Sequence, residues 1–514
     1  MASVSGSTSS PGPEDRPRGR GPGPQTAAAL VFGSSAAVLV VEIVALRLLA
    51  PYLGLTLETS TLVIGIALTA IAVGSWLGGI VADQLDPRRL LGPSLGVSGA
   101  VVALTPAVLR TTAEWAPALL LLIASLTILV PGALLSAVTP IVTKLRLTSL
   151  AETGTVVGRL SGVGTAGAIV GTVLTGFVLV SRLPVSGILI GLGCLLVAGA
   201  ALVEWRTRGW RGTPALTLVV VAGGLGTAVA PGGCDAETRY HCARVVADPD
   251  RESGRTLVLD GLRHSYVDLD DPTHLEFAYV RAIASVVDTA FPAGEALDAH
   301  HLGGGGLTLP RYLAATRPGT RSLVSEIDGG VVRIDRERLG LTPDTGIDVR
   351  TEDGRLGLRR LDDGSRDLVV GDAFGGVSVP WHLTTVEAMR DVRRVLDEDG
   401  LYVANLIDHG GLDFARAEAA TLAETFEHVA VLGAPVDLGL GPDPDAAPEG
   451  GNLVVLASGR PVDPRAAQQA LDARRTGWRI ATGDDLTAWI GDARPLTDDY
   501  APVDQLLQPS ATRR

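Results

Sequence analysis

Four consecutive glycines, Gly303 to Gly306, follow an apolar run at 297–302 and precede a run of helical spacing that ends near Ala315. Glycine lets backbone approach a ligand closely, and the helix that follows offers free amides. Glu326 closes the next apolar run, 23 residues past Gly303. That spacing suits a bidentate bond to ribose hydroxyls. Asp353, followed by Gly354, stands after a third run, where a carboxylate accepts from a purine amino group. Asp372 closes a fourth run and faces the reacting end of such a ligand. The same acids have a simpler use as helix caps in a structural α/β domain.

The elements that must carry these residues alternate. Strand-like runs at 297–302, 321–327, 347–352, 367–371 and 401–405 are separated by helix-like stretches at 331–339 and 384–396. This order predicts a parallel sheet covered by helices. In such a sheet ligands bind beyond the carboxyl ends of the strands, where the glycines and acids fall. The eight histidines are scattered, and no Cys/His spacing for a metal appears. His300 and His301 suit a strand end better than a metal site. The acidic turn from Thr497 to Asp504 reads as a solvated segment.

The remaining sequence is written for another solvent. Charged residues make up 19% of the chain, against about 25% in ordinary soluble domains. Residues 1–230 hold 9 acids and 14 bases, a net of +5, and residues 231–514 carry a net of −18. The acidic half disfavours nucleic acid as a partner. Residues 1–25, rich in Gly, Pro and Ser, read as a mobile tail. Apolar segments follow near 26–50, 60–82, 90–109, 116–142, 157–181, 183–203 and 213–230, the last being the weakest. These predict a helical bundle of about seven spans in a lipid bilayer. Gly158, Gly162, Gly164, Gly167 and Gly171 suit close helix packing in the fifth. Glu42 and Arg47 in the first span are read as partners for neighbouring helices or as part of a polar pocket.

Basic residues fix the expected orientation. Arg16, Arg18, Arg20, Arg88, Arg89, Lys144, Arg146, Arg159, Arg206, Arg208 and Arg211 share one face, against Arg110 and Arg182 on the other. The N-terminus is expected in the cytoplasm, and seven spans then put residues 231–514 outside. Cys234 and Cys242 are near enough to pair, which fits an oxidising compartment, or to stay as two free thiols. If the seventh segment does not cross, the soluble half is cytoplasmic.

On these residues the soluble half resembles the spermidine synthase (polyamine aminopropyltransferase) family, of a membrane-fused type. Glu237-Thr-Arg-Tyr240 and Leu259-Asp-Gly261 resemble its small N-terminal β-domain, and Gly303–Gly306 stands where the family has Gly-Gly-Gly-Asp-Gly. Glu326-Ile-Asp328 resembles its Glu-Ile/Val-Asp, Asp353-Gly354 its adenine-side pair, and Asp372 the first acid of its Asp-x-x-Asp loop. The string from Glu42 to Gly54 looks like the first span of membrane-fused members. A separate stretch, Gly74 to Asp83 followed by Arg88 and Arg89, resembles a loop of major facilitator transporters. Seven spans are too few for that carrier.

The resemblance implies a Rossmann-like fold of the S-adenosylmethionine methyltransferase type. It divides the chain into a tail (1–25), a transmembrane region (26–230), a small β-domain (231–290), a Rossmann-like domain (291–460) and a C-terminal extension (461–514). It implies that Gly303, Gly304, Gly305, Glu326, Asp353 and Gly354 hold the nucleoside. Asp372 is then the catalytic acid, with His264, Tyr266 and Tyr279 near the substrate. The co-substrate is decarboxylated S-adenosylmethionine or S-adenosylmethionine, with no tightly bound cofactor and no metal. A homodimer is among the implied arrangements.

The departures bear on chemistry. The glycine-loop acid is Gly306, the second catalytic-loop acid falls on Gly375, and the Gln after Leu-Asp-Gly is His264. Aminopropyl transfer needs a neutral amine, and an alkylamine is mostly protonated at pH 7. The expected reaction, aminopropyl transfer to a polyamine or other amine, thus rests on Asp372, helped by His264 or Tyr266. A methyltransferase and a non-catalytic module that binds or helps move a nucleoside or polyamine are the alternatives. The side of the membrane on which the soluble half lies discriminates among them.

Overall fold

The structure, a computed structural model, describes residues 23–53, 57–147, 149–208, 233–443 and 446–507. Most of the expected tail and the expected seventh span at 213–230 lie outside these residues. The chain divides into two compact units, residues 1–45 with 63–231 and residues 46–62 with 232–514.

Among the described residues six helices are long and apolar enough to cross a membrane. They are α1 (Pro24–Leu53), α2 (Leu57–Gln84), α3 (Arg88–Trp115), α4 (Leu120–Arg146), α5 (Thr153–Leu174) and α6 (Val185–Arg208). Small residues set how closely these helices pack. A Cβ on Gly167 would lie 2.3 Å from the Phe32 carbonyl oxygen, and one on Gly171 2.6 Å from that of Ala36. The same holds for α3 and α6, where a Cβ on Gly99 would lie 2.7 Å from the Gly193 carbonyl oxygen. Of the five glycines expected to serve packing in α5, Gly164, Gly167 and Gly171 face α1, whereas Gly158 and Gly162 have nothing within 4 Å. Large apolar side chains such as Trp76, Leu122, Ile169, Phe177 and Leu195 are exposed.

The second unit holds two sheets. Strands β1 (Ala236–Glu237), β2 (Cys242–Ala247), β3 (Gly254–Leu259) and β4 (Leu262–Asp268) pair antiparallel in sequence order. A disulfide joins Cys234 to Cys242. Arg47 donates to the Thr238 carbonyl at 3.1 Å, rather than to a neighbouring apolar helix.

The larger sheet has eight strands. They are β5 (Asp298–Leu302), β6 (Arg321–Glu326), β7 (Ile347–Thr351), β8 (Arg366–Gly371), β9 (Leu396–Asp408), β10 (His428–Gly433), β11 (Gly451–Ser458) and β12 (Arg479–Ala481). Their spatial order is β12-β10-β11-β9-β8-β5-β6-β7. Strands β5 to β9 run parallel; β11 pairs antiparallel with both β9 and β10, so β10 points the same way as β9, and β12 is reversed at the edge. The sheet is therefore mixed where the alternation of elements predicted a parallel one. An apolar run states that a strand is buried but not which way it points. Strand order turns back between β5 and β8, the place where α/β sheets open a crevice.

Period-two alternation builds a core on each face. On β9, Leu401 and Val403 join one cluster with Leu368, Val370 and Ile283. Tyr402, Ala404 and Leu406 join the other with Val369, Met389 and Phe414. His300 and His301 on β5 are buried, with His300 Nε2 2.9 Å from Ser325 Oγ. Burial pushes both imidazoles down to about 3, so they serve the sheet as neutral rings. Beyond residue 460, β12 extends the sheet, and Leu471 and Trp478 pack into the core. The acidic turn is not merely solvated, because Asp498 takes both terminal nitrogens of Arg355 at 2.8 Å.

Arg317 closes the turn after helix Thr308–Thr316. It is 1% exposed and donates to the carbonyls of Pro292, Phe291 and Glu295 and to Asp288. Removing one partner from a buried charged network typically costs about 3–5 kcal/mol. Arg317→Met should therefore lower the unfolding free energy of the full chain in detergent by about 3 kcal/mol, read from denaturant melts.

Candidate active site

The carboxyl ends of β5, β6 and β8 open onto a cavity of about 770 Å³ lined by Gly303, Gly304, Gly305, Glu326, Asp353, Gly354 and Asp372 among others. Gly303 makes the close approach that opens it. Its φ is +94°, and a Cβ there would lie 2.3 Å from the Asp372 carbonyl oxygen. No other residue fits between the β5 and β8 tips.

Glu326 is buried and clamps the glycine turn. Its Oε2 accepts from the amides of Gly304 (2.8 Å) and Gly305 (3.3 Å), and its Oε1 from that of Asp328 (2.8 Å). Burial raises its pKa, against these amide bonds. A carboxylate offers about four lone-pair sites, so one place on Oε1 is left. A bidentate grip on a diol then requires the loop amides to let go.

Asp353 caps helix Gly354–Arg359, with Oδ1 accepting from Leu356 N at 3.0 Å, and its Oδ2 lies 2.9 Å from His382 Nε2. Its capping role is thus real, and it lines the cavity as well. Asp328 likewise caps helix Gly329–Arg338 through Gly330 N.

Asp372 is half-buried at the tip of β8. Its Oδ1 accepts from Asn405 Nδ2 at 3.0 Å and its Oδ2 from the Tyr279 hydroxyl at 3.2 Å. Burial pushes its pKa up to about 6, while these two hydrogen bonds pull the other way. Asn452 Nδ2 donates to Asn405 Oδ1 at 2.9 Å, which turns the Asn405 amide nitrogen toward Asp372. Gly375 lies in the loop beyond, where it bridges to Ser378 and supplies no carboxylate.

His264 lines the cavity, its ring 6.2 Å from that of His241, and burial pushes its pKa down to about 4. Tyr266 is not among the lining residues. Its hydroxyl donates to Asp248 at 2.6 Å, and burial with that bond pushes its pKa up to about 12. Tyr266 therefore does not meet Asp372, whose hydrogen-bond partners are Tyr279 and Asn405. Sequence reasoning also missed His241, Arg263, His382, His409 and Asn452. Asn405 alone carried a signal, as a polar residue ending an apolar strand.

Sheet order, glycine turn and strand-tip carboxylates together define a Rossmann-like unit of the methyltransferase type. No family model matches the chain. It is 27% identical over 223 residues to the polyamine aminopropyltransferase of Vibrio vulnificus (strain CMCP6), covering 40% of this chain and 68% of that protein. It is 28% identical over 143 residues to the protein of the same name from Chromobacterium violaceum, covering 27% of this chain and 53% of the relative. A probable spermidine synthase from Corynebacterium glutamicum ATCC 13032 is a structural neighbour at 29% identity and a TM-score of 0.47, covering 51% of this chain and 95% of the other. The chain is related to the spermidine synthase family.

Two glycines test the close approach. Gly303 and Gly376 both have positive φ, but a Cβ on Gly376 meets nothing within 4 Å. Gly376→Ala should show only the left-handed strain of about 1–2 kcal/mol. Gly303→Ala should lower the melting temperature further, because it adds a backbone clash.

Proposed function

We propose that the chain is a membrane-anchored transferase that moves an alkyl group from an adenosyl sulfonium to an amine. The observation that carries this reading is the pairing of a glycine–Glu326 nucleoside cradle with the Asp372 carboxyl at the neighbouring strand tip of one cavity. The amine lone pair forms the new C–N bond while the C–S bond breaks. Its electron pair goes to sulfur, which becomes a neutral thioether, and the nitrogen proton goes to Asp372. The relatives' names make an aminopropyl group and a polyamine the first donor group and acceptor to assay. The six apolar helices support the membrane anchor.

One observation favours a second reading. The Cys234–Cys242 disulfide supports an oxidising compartment for the soluble half, which agrees with the orientation from basic residues if the expected span at 213–230, outside the described residues, crosses. On that side a nucleoside sulfonium is scarce, which suits a non-catalytic module that binds a nucleoside or polyamine. Impermeant reductant followed by maleimide on intact cells should label Cys234 and Cys242 if they lie outside. Labelling only after lysis places them in the cytoplasm.

Asp372→Asn should lower turnover by about 10²–10⁴. As the proton acceptor must be ionised, wild-type turnover should rise with pH through about 6, the value to which burial lifts Asp372. Asn405→Ala removes a bond that favours the charged form, so its rise should move to higher pH. Unchanged turnover in Asp372→Asn removes Asp372 as the base.

A further inference from the structure

One wall of the cavity has a chemistry that the aminopropyl reading leaves unused. It is built by His241, which precedes β2, and by Arg263 and His264 of β4. Strand β4 is fastened to the glycine turn, because Ser265 Oγ accepts the Gly306 amide at 2.9 Å and Thr308 donates to the Tyr266 carbonyl. The wall therefore stands beside the cradle.

Its polar groups are donors in want of acceptors. His241 Nδ1 lies 2.7 Å from Asp260, whose other oxygen takes the Cys242 amide, and Asp260 is not among the lining residues. Burial works against the charged His241 ring, and Asp260 outweighs it, so the ring titrates above its ordinary value. Among the described residues, neither His241 Nε2 nor the His264 ring has a hydrogen-bond partner in the protein. The Arg263 guanidinium lies over the Phe277 ring at 5.0 Å, with no ion pair among the described residues.

The cavity's carboxylates are in the opposite condition. Glu326 holds three amides, Asp353 His382, Asp372 two donors, and Asp437 the amides of Glu449 and Gly450. Glu276 faces His274 at 3.5 Å. The glycine turn has no room for another, since a Cβ on Gly306 would lie 2.9 Å from Ser265 Cβ and 3.0 Å from Val267 Cγ2.

We propose that this wall binds a carboxylate on the tail of the sulfonium donor, so that the co-substrate is S-adenosylmethionine rather than its decarboxylated form. An aminopropyl tail carries only an ammonium, which would meet two imidazoles and a guanidinium on this wall and no carboxylate among them. A methionine tail offers the oxygens those donors lack. The carbon transferred is then a methyl or a 3-amino-3-carboxypropyl group, with the bond changes already described. The inference rests on the adenosyl cradle and adds the identity of the tail.

Calorimetric titration of the full chain in detergent with 5′-methylthioadenosine, S-adenosylmethionine and decarboxylated S-adenosylmethionine separates the two claims. Methylthioadenosine lacks the tail and reports the cradle alone. S-adenosylmethionine should bind about tenfold or more tighter than the decarboxylated compound, as expected for charge-assisted bonds. Arg263→Gln and His264→Gln should each shrink that ratio and leave methylthioadenosine affinity unchanged. Arg263 is exposed, so its variant keeps the test open should His264→Gln fold poorly. Equal affinity for the two sulfonium compounds, or preference for the decarboxylated one, overturns the proposal. Failure of all three to bind overturns the cradle, and this inference with it.

Discussion

The site depends on how closely two backbones pass at the tips of β5 and β8. Gly303 turns there with a positive φ against the Asp372 carbonyl, leaving no space for a side chain. Everything chemical is arranged around that crossing. The glycine turn presents its amides on one side, and the Asp372 carboxyl lies on the other. Glu326 then fixes the turn by taking its amides, which satisfies buried donors that would otherwise carry a large desolvation penalty. The turn is preorganised, at the expense of three of the lone-pair sites of Glu326.

Asp372 shows a balance of opposing effects. A carboxylate without water prefers its neutral form, and two hydrogen bonds pull it back toward ionisation. The outcome near neutrality suits proton transfer. Asn452 acts at one remove, orienting the Asn405 amide by occupying its oxygen. Gly375, in the loop beyond, supplies no second carboxylate.

In the first unit packing follows a different rule. Between long apolar helices close contact depends on small residues that let backbones touch. Gly167 and Gly171 against α1, and Gly99 against Gly193, meet that condition. Gly158 and Gly162 do not, although they have the same spacing in the sequence.

The sequence by itself determined that one part of the chain is apolar and helical, that the other alternates strands and helices, and that Gly303, Glu326, Asp353 and Asp372 stand at strand ends. These are local properties: composition selects the solvent, periodicity selects the element, and a polar residue ending an apolar run marks a tip. Tertiary structure alone decided the direction of β10 to β12, because burial makes the same demand of either direction. It also decided which polar side chains meet. Tyr279 lies 93 residues from Asp372 and Asn405 lies 33 away, while Tyr266, close to His264 in sequence, turns to Asp248. The pairing of β3 with β4 skips His264, a bulge that breaks the alternation by which His264 and Tyr266 would share a face, so nearness along the chain carries little information about nearness in a site.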